Sequence, residues 1–336
     1  MTYRFETVVL HIGLGKTGTS AIQQTLERRA GELEQACNTL FPLIEDDPRR
    51  FAGNHSMLLR SVCSEQPETL RFNIAAGLAS REAATAADQR VMQSWEHRFE
   101  VTKADTLLLS AEGVGHFDDA AVTRLGQWLA PLARRIRVLA WVRHPQHSLS
   151  AEIQQRLKTG ARLERLYQRP PFYRYSAIFS RLERVFGKAA IELYDYADSL
   201  APGSSAVATF FDKAGLPLAP GSQDAERVNV ALSQKATLLL DAVNRLRPLV
   251  IDGARNPGRK PHDLVRILKV PGDPYAPPPD VYAALAEQAA PELAWLQAQY
   301  GFSPRPVPPR HAPCEQPPVD QAAIDAEALS LLDAPG

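Results

Sequence analysis

The sequence predicts an α/β fold of three layers, with helices on both faces of a mostly parallel central sheet. Short, continuous apolar runs rich in β-branched residues indicate buried strands, and long helical patterns separate them. These runs cover residues 7–12, 106–110, 136–142 and 191–194. A chain of 336 residues, of which 45% are hydrophobic, is long enough to bury a large core.

Amphipathic patterns predict the helices between these strands. Residues 121–132 and 175–186 carry apolar side chains at helical spacing. Ser233 is of a residue type favoured at a helix N-cap and precedes a further apolar stripe, so it predicts a helix start. The helix after the first strand has its stripe at Ile22, Leu26, Ala30 and Leu33.

The domain organisation follows from where these patterns stop. Residues 1–302 are predicted to form one domain, in which residues 38–80 mix turn residues with a short apolar patch and cover the site as a lid. Residues 303–336 are predicted to form a proline-rich C-terminal tail. The stretch 302–318 is dense in proline, which predicts an extended or disordered segment, with a docking peptide as the alternative.

Composition excludes several classes of function. Basic and acidic residues number 38 each, so no overall charge attracts nucleic acid. The three cysteines are far apart and lack metal-binding spacing, which predicts a reducing compartment and no structural metal. No apolar run approaches the ~20 residues of a membrane span, and no signal peptide is recognisable. We therefore expect a soluble, cytoplasmic protein.

The turn after the first strand is the strongest signal for function. Residues 11–20 read His-Ile-Gly-Leu-Gly-Lys-Thr-Gly-Thr-Ser, a strand end, a glycine-rich turn with one lysine, and hydroxyl residues at a helix start. Such a turn directs backbone N–H groups and a helix N-terminus at one point, which suits a phosphate or sulfate group. A Walker A loop needs a glycine five positions before its Gly-Lys-Ser/Thr, and here that position is Leu10. The spacing therefore argues against a nucleoside triphosphate.

A second candidate for anion binding is Arg143, which follows the third predicted strand and precedes His144-Pro145. Open α/β sheets bind ligands at the carboxyl ends of their strands, and a guanidinium can hold a phosphate through two hydrogen bonds. The competing interpretation is that Arg143 pairs with a surface carboxylate.

The turn resembles the 5′-phosphosulfate loop of sulfotransferases that use 3′-phosphoadenosine 5′-phosphosulfate (PAPS). Bacterial members of that family commonly read H-I-G-x-x-K-T-G-T-[ST]-x-[IL]-Q, and residues 11–23 match every specified position. Weaker matches extend the resemblance over roughly residues 7–302, among them Phe210-Phe211 and Arg227-Val228-Asn229. The resemblance implies a P-loop-like sulfotransferase fold, PAPS as donor, the product 3′-phosphoadenosine 5′-phosphate (PAP), and a saccharide, glycolipid or small-metabolite acceptor.

The same resemblance implies roles for individual residues. Lys16 would lie at the oxygen that bridges sulfate and 5′-phosphate, and Arg143 would bind the 3′-phosphate. The family places a serine eight residues after that arginine, where this chain has Ala151, so Ser150 is predicted to take its role, with Ser148 close behind. The residues implied to hold the 5′-phosphosulfate are Gly15, Lys16, Thr17, Gly18, Thr19 and Ser20.

A hydroxyl acceptor also needs a general base near neutral pH. Glu112 follows the second strand in Ser110-Ala111-Glu112, which is similar to a Ser-x-Glu of bacterial relatives, and we predict it as the base. His55, in the predicted lid, would contact the acceptor or share the proton transfer, and His116 is a third candidate. The structural alternatives are a helix-terminus acid for Glu112 and an ordinary surface histidine for His55.

Two other functions stay open on the sequence. A P-loop kinase of a small molecule would need a Walker B aspartate, and residues 107–112 show none. A non-catalytic nucleotide-binding relative is favoured only by the displaced serine.

Overall fold

The computed structural model describes residues 3–218, 231–251, 254–309, 311 and 320–333. The chain divides into two compact units. The single domain over residues 1–302 stays a prediction. The predicted match at Arg227-Val228-Asn229 lies outside the described residues. The first unit consists of Met1–Arg143, Arg174–Arg227 and Gln299–Pro304; the second consists of His144–Tyr173, Val228–Ala298 and Arg305–Gly336.

The chain forms helices and strands in alternation, as expected for an α/β fold. The strands are β1 (Phe5–His11), β2 (Thr39–Leu40), β3 (Thr106–Ser110), β4 (Ala133–Val142), β5 (Ile191–Asp195), β6 (Val250–Ile251) and β7 (Ala254–Arg255). The helices are α1 (Thr19–Arg28), α2 (Ala30–Cys37), α3 (Ser56–Val62), α4 (Arg71–Ala75), α5 (Arg81–Val101), α6 (Asp119–Leu129), α7 (Pro145–Lys158), α8 (Leu163–Gln168), α9 (Tyr175–Phe186), α10 (Ala206–Ala214), α11 (Gln234–Leu246), α12 (Pro261–Leu268), α13 (Pro279–Tyr300) and α14 (Gln321–Asp333).

A five-stranded parallel sheet forms the centre of the first unit, with the spatial order β2-β3-β1-β4-β5. This arrangement confirms the predicted fold class and the four predicted strands. β4 begins at Ala133, earlier than predicted, because the exposed arginines at its start hide the strand pattern. The two residues of β2 are too few to produce a pattern at all.

Both faces of this sheet are covered, which explains why its strands read as continuous apolar runs. On one face the sheet packs against α1 and α10. The side chains that alternate with this set, such as Leu10 and Leu109, are also fully buried. The packed face is formed by Val9, Leu108, Leu139 and Trp141 of the sheet, Ile22 and Leu26 of α1, and Phe210 and Phe211 of α10.

The predicted first helix is two helices in the structure. α1 ends at Arg28 and α2 begins at Ala30, with Arg29 between them. The guanidinium of Arg29 donates to both carboxylate oxygens of Glu32 at 2.7 and 2.9 Å. The apolar stripe continues through both helices, so its period alone could not reveal the break.

A buried charge network anchors residues 38–80 in the first unit. Arg49, which is 6% exposed, donates to both oxygens of Asp47 at 2.8 and 2.5 Å and to Asp88 Oδ1 at 2.6 Å. Ser61 Oγ donates to Asp88 Oδ2 at 2.7 Å, and Asn73 Nδ2 donates to Ser61 Oγ at 2.9 Å. Both carboxylates are therefore paired with the arginine and further hydrogen-bonded, the condition under which buried charges are tolerated.

The second unit is built mainly from helices. α7, α8 and α11 to α14 share a core that includes Leu149, Leu240 and Leu285. Ser233 caps α11, because its Oγ accepts the Ala236 N–H at 3.0 Å, and this confirms the predicted helix start. β6 and β7 form a short antiparallel hairpin.

α14 lies within the segment predicted as a C-terminal tail. Asp320 caps it by accepting the N–H groups of Ala322 and Ala323, and its Ala328 and Leu332 enter the core of the second unit. Its apolar stripe is short and follows a proline-dense stretch, so the sequence pattern does not predict this helix. Residues 303–336 therefore contain a packed helix after the proline-dense stretch.

Candidate functional site

The predicted functional residues of the first unit lie at or near the carboxyl edge of the central sheet. β1 lies between β3 and β4, with His11 opposite Ser110 on one side and Leu139 on the other. After β1 the chain continues to β2 on one side of the sheet, and after β4 it continues to β5 on the other side. The connections thus diverge between β1 and β4, and open parallel sheets bind ligands at such a switch point.

The loop from β1 to α1 has a strained backbone. Lys16 has φ of 65° and Gly18 has φ of 79°, both in the left-handed region. For a lysine this conformation costs of order 1–3 kcal/mol and is found where the surrounding structure enforces it, often at binding sites. Gly13 allows the loop to close on α1, since a Cβ there would lie 2.2 Å from Thr19 Oγ1.

The threonine hydroxyls of this loop are used inside it. Thr17 Oγ1 donates to Leu14 O at 2.6 Å and lies 3.3 Å from Thr19 Oγ1, and the two residues are 1% and 3% exposed. The resemblance implied that Thr17 and Thr19 supply both N–H and hydroxyl donors to the phosphosulfate, whereas the structure turns their hydroxyls inward. By contrast, Lys16 is half-buried and Ser20 is exposed.

The N-terminus of α1 supplies positive potential beside Lys16. Its N-cap, Gly18, offers no side-chain cap, and the first turn of this 10-residue helix holds no acidic residue. No carboxylate in this first turn therefore offsets the macrodipole, whose N-terminal end carries roughly half a positive charge. Together with the lysine, this end of α1 suits an anionic group.

Arg143 follows β4 and lies against the loop. Its Nη1 donates to Lys16 O at 2.7 Å, and its guanidinium lies over the Tyr196 ring at 5.0 Å from the centroid. Tyr175 donates its hydroxyl to Arg143 O at 2.9 Å, which holds the backbone at this point. Arg143 thus contacts the backbone of the loop at Lys16, beside the switch point.

Glu112 begins a short 3₁₀-helix, Glu112–His116, directly after β3. Ala111 N donates to His11 O at 2.8 Å, which ties this turn to the end of β1. Gly115 of the same turn packs on the loop, since a Cβ there would lie 3.3 Å from Leu14 Cδ2. The half-buried Glu112 therefore belongs to a turn that packs directly on the loop carrying Lys16.

His55 is a sealed structural residue, which differs from its predicted catalytic role. It is 1% exposed; its Nδ1 accepts the Ser110 N–H at 3.1 Å, and its Nε2 lies 2.9 Å from Pro42 O. Because Nδ1 is the acceptor, the ring proton is on Nε2 and is donated to Pro42 O. Burial lowers the pKa of His55 to about 4. A neutral ring with both nitrogens bonded inside the protein has no atom to offer an acceptor.

His11 lies beside the site, although the sequence analysis gave it no role beyond its place in the matched motif. It is fully buried, its Nδ1 lies 2.9 Å from Ser110 Oγ, and burial lowers its pKa to about 3. The ring packs edge-on against Trp141 at 5.4 Å and against Phe210 at 4.8 Å. Ser110, two residues before Glu112, is thus held by two buried histidines. A histidine within an apolar strand was the available signal.

Ser150 lies on α7 in the second unit. Its Oγ donates to Tyr275 O at 3.0 Å and accepts from Gln154 Nε2 at 3.0 Å. Ser148, the alternative, donates its hydroxyl to Pro145 O at 3.0 Å. The hydroxyl protons of both serines are therefore committed to backbone carbonyls, which differs from the predicted role as donors to a 3′-phosphate.

No protein-family model and no curated protein sequence matches this chain. Among solved structures, it is similar to the crystal structure of a sulfotransferase from Alicyclobacillus acidocaldarius. The two chains are 13% identical with a TM-score of 0.41, over 90% of this chain and 98% of the other. A likeness of this size carries no conclusion about activity.

Two further observations concern metals and membranes. Across the described ranges, no group of three or more His, Cys, Asp or Glu side chains is arranged to hold a metal ion. Of the helices in the described part of the chain, none combines the length and apolar character required to span a bilayer.

Proposed function

We propose that this chain transfers a sulfuryl group from PAPS to a hydroxyl of a saccharide, glycolipid or small metabolite, releasing PAP. The observation that carries the proposal is the contact between Arg143 Nη1 and Lys16 O, 2.7 Å long, at the switch point between β1 and β4. Two cationic residues and a helix N-terminus at one edge of the sheet suit a ligand with several anionic groups.

The loop residues fit the phosphosulfate end of such a donor. When bound, PAPS supplies an activated sulfuryl group whose leaving group is a phosphate. Lys16 neutralises the charge that grows on the leaving oxygen, and the N–H groups at the start of α1 stabilise the same charge. The loop is shaped by its own contacts, Thr17 Oγ1 to Leu14 O and Gly13 against Thr19. These donors are therefore preorganised and need little rearrangement.

Arg143 is the proposed ligand of the 3′-phosphate. A guanidinium carries five N–H donors, so a bond to Lys16 O is compatible with a grip on a phosphate. Ser150 receives no donor-binding role in this proposal, because its proton is donated to Tyr275 O.

Glu112 is the proposed general base. Proton abstraction by a positioned carboxylate contributes about 10²–10⁴-fold to such reactions. His55 is left out of the chemistry because both of its ring nitrogens are bonded inside the first unit. The exposed His116, at the end of the same 3₁₀-helix, is the second choice for the base.

The inward orientation of the Thr17 hydroxyl argues against the alternative function of a P-loop kinase. In a Walker A loop the hydroxyl after the lysine binds Mg²⁺. Here that hydroxyl is 1% exposed and donates to Leu14 O at 2.6 Å. A magnesium nucleotide would require this bond to break.

Ligand-induced stabilisation tests the proposal. We expect PAP to raise the midpoint of thermal unfolding and ATP with Mg²⁺ to leave it nearly unchanged. The exposed Lys103 offers a matched control: Lys16→Ala abolishes the PAP effect and Lys103→Ala preserves it. A strong effect of ATP with Mg²⁺ and none of PAP would overturn the proposal in favour of a kinase.

Turnover separates an enzyme from an inert relative. Labelled PAPS is incubated with the full chain and a panel of sugars, glycolipids and small hydroxyl compounds. Acceptor-dependent formation of PAP supports the proposal. Tight PAP binding without transfer to any compound of the panel would assign the chain to the non-catalytic class.

A further inference from the structure

The segment Gly53-Asn54-His55-Ser56 has no part in the chemistry proposed above, yet it contacts both sides of the site. On one side it meets α1. Gly53 has φ of 64°, and a Cβ there would lie 2.0 Å from Gln23 O. Only glycine fits this position, so the backbone of the segment lies directly on the backbone of α1. This helix begins at the end of the loop of residues 12–18, which we call the anion loop.

On the other side, His55 makes the hydrogen bonds to the end of β3 that a neighbouring strand would otherwise make. β2 pairs with β3 only at Thr106 and Leu107. Farther along β3, His55 N donates to Ser110 O at 2.9 Å, and Ser110 N donates to His55 Nδ1 at 3.1 Å. The backbone N–H and C=O of Ser110 are therefore both bonded to one residue of the segment.

The His55 ring is itself fixed in place. It packs against Phe41, with ring centroids 4.7 Å apart, and edge-on against Trp95 at 5.1 Å, and its Nε2 is bonded to Pro42 O. Because both ring nitrogens are bonded and two aromatic rings pack against it, the ring has one orientation and fixes the backbone of Ser110 through its bond to Nδ1.

Ser56 holds the chain just beyond Glu112. Gly113 N donates to Ser56 Oγ at 2.8 Å, and Ser56 N donates to Asn54 Oδ1 at 2.8 Å. A Cβ at residue 113 would lie 3.0 Å from Ser56 Cβ, so glycine lets the turn approach this closely. The backbone before Glu112 is thus bonded to His55, and the backbone after it is bonded to Ser56.

We propose that residues 53–56 form a bridge that sets the position of Glu112 relative to the anion loop, with His55 and Ser56 as positioning residues. The inference rests on the proposed function, since it takes Glu112 as the general base. A base must lie within hydrogen-bond reach of the proton it removes. A displacement of about 1 Å can cost roughly 10²-fold in rate.

Ser56→Ala is the decisive variant, because it removes one acceptor and leaves the buried His55 ring intact. We expect kcat to fall by about 5- to 100-fold, with the KM for PAPS and the affinity for PAP unchanged. Ser56→Thr keeps the hydroxyl and restores kcat. The exposed Ser94 supplies the control, since Ser94→Ala leaves kcat unchanged.

Combination with Glu112→Gln separates positioning from general structural damage. If Ser56 acts through Glu112, Ser56→Ala causes no further loss of kcat once the carboxylate is gone. The same fold-loss in the Glu112→Gln background as in the parent would overturn the proposal, as would an unchanged kcat in Ser56→Ala alone. Gly113→Ala, which pushes the turn away from Ser56, should reproduce the loss.

Amide hydrogen exchange tests the bridge without any turnover. In Ser56→Ala we expect faster exchange at Gly113 N–H than in the parent, with exchange in β1 unchanged. Unchanged exchange at Gly113 overturns the bridge even if the parent transfers sulfuryl groups. A parent that exchanges as expected but forms no PAP overturns the proposed function, and with it the catalytic consequence of the bridge.

Discussion

Two sets of polar residues meet at the carboxyl edge of the sheet, and they differ in access. Lys16, Glu112 and Arg143 are half-buried, whereas His11 and His55 are at most 1% exposed. Each sealed histidine contacts Ser110 and has a pKa lowered by burial. The comparison shows that residue type alone identifies candidate catalytic and binding residues. Burial then distinguishes the side chains that a ligand can reach from the side chains that only support the site.

The largest effect should come from the accessible set. Lys16→Ala removes the cation proposed to stabilise the leaving group, and we expect it to abolish transfer, because both the binding of the donor and the charge on the leaving oxygen depend on this cation. Circular dichroism and thermal unfolding should match the parent, since the helix behind Lys16 packs through Ile22 and Leu26. An active Lys16→Ala variant would falsify the role given to this residue.

Glu112→Gln should follow closely. It keeps the size of the side chain and removes its basicity, so we expect kcat to fall by about 10²–10⁴-fold while PAP binds as before. The exposed Glu100 provides a control, because Glu100→Gln should leave kcat unchanged. A parent-like rate in Glu112→Gln would pass the role to His116.

Substitutions at buried polar residues should change the stability of the fold and not the rate of transfer. Arg49→Met leaves the carboxylates of Asp47 and Asp88 buried without their cation, and we expect a loss of about 3–5 kcal/mol in the free energy of unfolding. Its neighbour Arg50 forms an exposed ion pair with Glu27, so Arg50→Met should leave the urea midpoint unchanged. Equal midpoints in the two variants would contradict this difference.

The sequence predicted the sheet well because buried parallel strands leave a local pattern. It also predicted that Lys16 and Arg143 lie near each other, because both follow the carboxyl ends of strands in one parallel sheet. It could not predict burial at single positions. His55 precedes a short helix, and only the packing of Phe41 and Trp95 around it shows that it is sealed. The inward turn of Thr17 likewise depends on Leu14 O, a contact without any pattern in the sequence.

Arg143 allows a sharper test of what the accessible set recognises. Arg143→Ala should weaken PAP binding by roughly 1.5–3 kcal/mol, the scale of a charge-assisted hydrogen bond. If the guanidinium binds the 3′-phosphate, the variant should bind adenosine 5′-phosphate as well as the parent does. Calorimetric titration of both ligands decides this. Equal losses for the two ligands would show that Arg143 acts by shaping the loop through Lys16 O.

The sealed histidines predict a pH dependence of stability. Their pKa values in the folded chain, about 3 for His11 and about 4 for His55, lie below the ordinary 6.5. Between these values the unfolded state binds protons that the folded state does not. Below about pH 6.5 the free energy of unfolding should therefore fall by about 1.4 kcal/mol per pH unit for each histidine.

Urea unfolding at several pH values from 7 to 5 checks this slope. His55→Gln should reduce it by about half, leaving the contribution of His11, and His97→Gln, at an exposed site on α5, should leave it unchanged. The same slope in the parent and in His55→Gln would contradict the assignment of His55 as a neutral, sealed residue.

Acceptor-dependent release of PAP from PAPS tests the central claim most directly. The account predicts that the parent chain forms PAP in the presence of a chelator and without ATP, and that Lys16→Ala does not. Consumption of ATP with magnesium by the parent, together with no PAP formed from PAPS with any hydroxyl acceptor, would contradict it.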